Sequence, residues 1–113
     1  GGYDKRYLPG IMEDIDLCYR AKQWGYRLYY EPESVVYHMG QASFKKAFGS
    51  VRIQRLAHRN TFLFMWKNFN GLRFWLSQIV FIPLRLLYAS LFRKWGFVGG
   101  FFDAIGLSLG RPR

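Results

Sequence analysis

A chain of 113 residues, half of them hydrophobic, has apolar material for one small core and excludes a multidomain machine. Seventeen Lys and Arg against seven Asp and Glu leave a formal charge of +10, and the single cysteine, Cys18, excludes an intrachain disulfide and fits a reducing compartment. The charge is uneven: of the acids only Asp103 lies beyond Glu33, so the basic remainder calls for an anionic partner, among lipid headgroups, nucleic acid and the phosphates of a lipid carrier.

In chain order, the first predicted element is a helix beginning at Glu13-Asp14-Ile15-Asp16. Leu17, Cys18, Ala21 and Trp24 recur at three- and four-residue spacing and mark its buried face, and Gly25 stops it. Acids in a first turn are stabilised by orphan amides and the helix dipole, so capping alone would account for them. Asp14, one turn before Leu17 and Cys18, is expected to point along the inward face, with Glu13 and Asp16 turned away. A carboxylate so placed suits general-base work on a hydroxyl. Cys18, with no His near it in the pattern, reads as a structural thiol. Two short strands are expected next, Arg27-Leu28-Tyr29-Tyr30 and Ser34-Val35-Val36-Tyr37-His38, with Glu31-Pro32-Glu33 as the turn between them. His38 then stands at the carboxyl end of a strand, where open α/β sheets gather ligands. One histidine does not make a metal site without carboxylates from elsewhere.

These residues carry a resemblance. Gly1-Gly2-Tyr3-Asp4, Pro9-Gly10, Glu13-Asp14-x-Asp16-Leu17-x-x-Arg20, Gly25-Tyr26-Arg27 and Tyr30-x-Pro32-Glu33-x-x-Val36-x-His38 together resemble the C-terminal half of a family 2 glycosyltransferase with the GT-A fold. The likeness is close from Gly1 to Ser43 and looser in the tail. It implies an α/β domain part over residues 1–43 and, for residues 44–113, a helical, basic and apolar tail. It also implies Asp14 as general base, Glu13 as its neighbour on the acceptor, and Gly1, Gly2, Tyr3 and Asp4 as the loop beside the acceptor and the donor sugar. His38 would contact a divalent metal, Mg2+ or Mn2+, on the diphosphate of a nucleotide-sugar donor. Lys5 departs from the family, in which an acid is common there. Asp14-Ile15-Asp16 has the letters of the donor-binding Asp-x-Asp, but on a helix its two acids diverge by about 200°. No other Asp-x-Asp is present, so the nucleotide-binding half is expected to lie outside these residues.

The tail begins with a loop, and Ser43 can cap a helix from Phe44 to Phe69. Lys45, Arg52, Arg55 and Arg59 form a basic stripe on it, as a solvated edge of a packed helix or a membrane-surface contact. His58-Arg59-Asn60 through Trp66-Lys67 resembles the Arg-Asn, apolar run and Lys of the family; His58 receives no catalytic role. After Asn70-Gly71, Phe74 to Phe92 is long enough to span a bilayer. Arg85, Pro83 and Ser77-Gln78 make an in-plane or re-entrant helix the better fit, anchored by Trp75, Tyr88 and Trp95, with Arg73, Arg93 and Lys94 at headgroups. Gly99-Gly100 is expected to hinge a last helix, Phe101 to Leu109.

Three functions follow. The first is inverting transfer of a sugar from a nucleotide sugar to a glycan or lipid-linked acceptor at the cytoplasmic face of the membrane, as in envelope polysaccharide synthesis. The second is a non-catalytic module binding an anionic membrane surface. Nucleic acid fits worst and is not expected as a partner, because the aromatics lie in apolar runs and offer no stacking platform.

Overall fold

A computed structural model of the chain describes residues 2–37, 46 and 48–110. Among the described residues, a 3-10 turn at Lys5–Tyr7 is followed by the helices α1 (Glu13–Gln23), α2 (Ser50–Asn68), α3 (Leu72–Leu91) and α4 (Trp95–Leu109). His38, Ser43, Phe44 and Lys45 lie outside the described residues, as does Gly1.

Helix α1 falls where its pattern places it, and Gly25 follows it at φ +86°. The α/β expectation is overturned, for no strand forms among the described residues. The described residues of the stretches expected as strands, 27–30 and 34–37, carry no regular secondary structure and are exposed, Tyr37 at 93%. Main-chain bonds around them are local, from Tyr26 N to Ala21 O, Ser34 N to Glu31 O and Val35 N to Glu33 O. Alternating β-branched and aromatic residues favour an extended backbone, yet a ladder needs a second strand in register, and the turn does not bring these two together.

The helix expected from Phe44 is broken at Gly49, at φ +71°: Lys46 and Phe48 before it are helical, and α2 begins at Ser50. It is the axis of the molecule. Phe62, Leu63 and Phe64 are buried on it, joined by Tyr7 from the 3-10 turn and Ala104 from α4. The Phe62 ring meets Phe97 and Phe101 of α4 edge-on at 5.6 and 5.3 Å, and Tyr19 of α1 meets Phe64 at 5.5 Å.

The expected hinge at Gly99-Gly100 is instead the interior of α4, which already begins at Trp95. Glycine weakens a helix, but here it permits contact of backbones. A Cβ on Gly100 would stand 2.6 Å from the Arg55 carbonyl oxygen and 2.9 Å from the Arg59 nitrogen. Gly96, Gly100 and Ala104, four residues apart, form the face that lies on α2, and all three are buried.

Helix α3 is long and apolar enough to cross a membrane and carries Pro83 inside it. Leu72, Leu76, Ile79, Val80, Leu84 and Leu91 are all exposed, and of its side chains only Ala89 is buried.

Candidate functional site

The N-terminal segment is held to α2 by two polar anchors. The first grips the loop before α1. Asn60, fully buried, donates through Nδ2 to the carbonyls of Tyr7, Gly10 and Ile11 at 3.0, 2.8 and 2.8 Å. Arg59 donates to Leu8 O at 2.6 Å and to Asn60 Oδ1 at 2.9 Å, which orients the amide. The loop so held is strained, for Ile11 and Met12 sit at φ +74° and +77°. Left-handed backbone in a β-branched residue costs about 1–3 kcal/mol and persists only where neighbours over-determine it. Glu13 and Asp14 follow immediately.

The second anchor is a knot of charge around Asp16, which is fully buried. Lys67 Nζ reaches its two oxygens at 2.8 and 3.0 Å and also Asp4 Oδ2 at 2.9 Å. Arg20 donates to Asp16 at 2.7 Å, the Tyr7 hydroxyl donates at 3.0 Å, and the Asn68 amide lies at 3.4 Å. Arg6 forks onto Asp4. Burial alone would raise the Asp16 pKa, but the bonds from Lys67, Arg20, Tyr7 and Asn68 outweigh it and hold the carboxyl below its ordinary value. Asp4 behaves likewise, burial being outweighed by Arg6 and Lys67. The Tyr7 phenol is pushed up by burial and by its bond to Asp16.

The inward acid is therefore Asp16, and the expected orientation is reversed, for Asp14 is exposed. Cys18 and Trp24, assigned to the buried face, are exposed too. The face that α1 turns inward runs through Asp16, Tyr19 and Arg20, and its dominant contact is ionic, so the apolar spacing misled. The Asp14 side chain accepts from Ile15 N at 2.8 Å and makes no ion pair among the described residues. Glu13 is half-buried, and its Oε2, shielded from water, meets no donor among them.

The remaining expected site residues divide. Tyr3 is exposed, Gly2 O accepts from Arg20 at 2.6 Å, and Asp4 is spent in the ionic knot. Arg73 and Arg85 lie exposed on α3. Arg55 forks onto Asp103 of α4, with both bonds 2.6 Å, and the Asp103 carboxyl is held down by that bond. Arg52 stands over the Phe48 ring at 5.1 Å. His58, pushed down by burial, meets the Phe97 ring. No group of three His, Cys, Asp or Glu side chains gathers among the described residues. Asp4 and Asp16 share an ammonium that occupies the place a cation would take, so these acids do not fit a metal.

Sequence reasoning passed over Tyr7, Asn60 and Lys67 as working parts. A signal was present: Asn60 and Lys67 are seven residues apart, two turns on one face, and flank the apolar run of residues 62–66. No family model, curated protein or solved structure matches the chain.

Proposed function

We propose that the chain supplies the acceptor side of an inverting glycosyltransferase that works at the cytoplasmic face of a membrane. The observation that carries the reading is the division of labour among the acids at the start of α1. Asp16 is consumed by Lys67 and Arg20, while Asp14, two residues earlier and behind a strained, clamped loop, is exposed and makes no ion pair among the described residues, accepting only from Ile15 N. A free carboxylate on a rigid mount, in the motif that resembles family 2 glycosyltransferases, is what a general base requires.

In this reading Asp14 accepts the proton of the acceptor hydroxyl as that oxygen bonds to C1 of the donor sugar. The bond from C1 to the nucleoside diphosphate breaks on the opposite face, its electron pair leaves with the diphosphate, and the configuration at C1 inverts. Glu13, whose shielded Oε2 lacks a donor, offers an acceptor for a second hydroxyl of the incoming sugar or lipid-linked glycan. His38 and a divalent cation on the diphosphate belong to the same reading through the family resemblance alone. The reading is tested by Asp14→Asn in the protein that carries this chain, assayed for transfer of radiolabelled sugar from nucleotide sugars in native membranes. Turnover should fall at least about a hundredfold, the usual contribution of a positioned base, with the melting temperature unchanged. A near-normal rate would remove Asp14 from the chemistry.

A second reading, attachment to an anionic membrane without chemistry, draws on the exposed apolar length of α3.

A further inference from the structure

A cavity of about 760 Å³ opens where the start of α2 approaches α4, with Pro9 on its wall. Among the described residues, Arg52, Arg55 and Arg59 line it, against a single carboxylate, Asp103. Arg55 and Asp103 neutralise each other through their bidentate pair. Arg59 bonds directly to no carboxylate among the described residues, although the Asp103 charge acts on it from a distance; its guanidinium bonds to neutral oxygens of Leu8 and Asn60. Arg52, exposed above Phe48, forms no ion pair among them either.

The lining thus holds two positive charges more than it neutralises, one of them on a half-buried guanidinium. A cation drawn out of water and left with neutral acceptors is stabilised by an anion that can take several N–H bonds at once. The guanidinium fork fits the paired oxygens of a phosphate better than a spherical ion. The volume is within the range of small-molecule pockets and far above what a lone inorganic ion fills.

The geometry points to a binding site for an organic phosphate or diphosphate in this cavity, with Arg52 and Arg59 on its phosphate oxygens and the Arg55–Asp103 pair as a fixed wall. The phosphate can be carried by a lipid or by a soluble ester. The site does not depend on Asp14 acting as a base, and its test reads binding, not transfer.

The full chain in nanodiscs of neutral phosphatidylcholine is titrated with inorganic pyrophosphate in a calorimeter. A parallel arm measures its partition to discs containing phosphatidic acid, without soluble phosphate. Saturable binding of pyrophosphate identifies a site open to soluble esters; saturation with phosphatidic acid alone identifies a lipid phosphate. In either arm Arg52→Ala should weaken binding about tenfold, the effect of losing a charge-assisted hydrogen bond. Asp103→Asn, which removes the competing carboxylate, should tighten it several-fold, and Lys22→Ala on α1 should change nothing. Arg52→Lys keeps the charge and loses the fork, so it should fall between, and it carries the test if the alanine variant does not fold. Absence of saturation in both arms, or binding indifferent to Arg52, overturns the site.

Discussion

Lys67 faces two carboxylates and lies over the Tyr7 ring, and Asp16 faces four donors; neither side chain could be removed without stranding a charge away from water. Breaking a buried pair from one side costs about 3–5 kcal/mol, so Asp16→Asn should lower the unfolding free energy by that order in a denaturant titration. The same residues set an acid limit. Asp4 and Asp16 titrate below the ordinary 3.8 in the folded chain, so their stabilisation is complete above that value and is lost as pH falls from about 4 toward their folded pKa values. Melting temperature followed from pH 7 to 2 should drop steeply in that window, and more gently in Asp16→Asn. An equal slope in both would show that the knot is not what acid undoes. Local spacing could not reveal which of Asp14 and Asp16 turns inward, because the deciding partner is 51 residues further on. Periodicity detects a helix's apolar face; it is blind to a face held by charge.

Among the elements, the helices were legible because a helix closes its hydrogen bonds within itself, and its start and stop residues lie in the same stretch of chain. The strands were not, because a strand's partners lie elsewhere and the composition of residues 26–37 shows only a local β preference. The glycines of α4 were misread for a related reason. Gly99-Gly100 looks like a break until α2 is known to lie against it. The approach at Gly100 is backbone to backbone, with no flexible side chain to yield at the Arg55 carbonyl. Gly100→Ala should therefore separate α2 from α4 and destabilise the protein by about 1–3 kcal/mol, as overpacking does, although alanine is the better helix former. A melting temperature at or above that of the parent would contradict the close packing.

At the scale of the whole molecule, cations crowd into the region whose longest helix hides almost none of its apolar surface. Water is a poor solvent for such a helix, whereas a bilayer interface satisfies its apolar side chains and its flanking charges together. The full chain should float with liposomes, more completely when they contain anionic lipid. Paired Ile79→Lys and Leu84→Lys, each costing about 2.5–3.5 kcal/mol at the centre of an inserted helix, should leave it in the soluble fraction at high salt. Flotation unaltered by that pair would remove α3 as the anchor. The sequence disclosed this half of the molecule more fully than the first, since bulk apolarity and charge need no knowledge of the fold.

The clamp of Asn60 and the ionic knot of Lys67 join the first two dozen residues to α2 across space, while the covalent route between them passes through an exposed strip, residues 26–37, without helix or strand. Connectivity and cohesion are thus carried by different parts. A protease that nicks the strip between residues 26 and 37 should yield two fragments that still migrate as one species on a native sizing column, and the same nick in Lys67→Met should let them drift apart. The strip would then be a dispensable tether, and the molecule could be assembled from two separately made peptides.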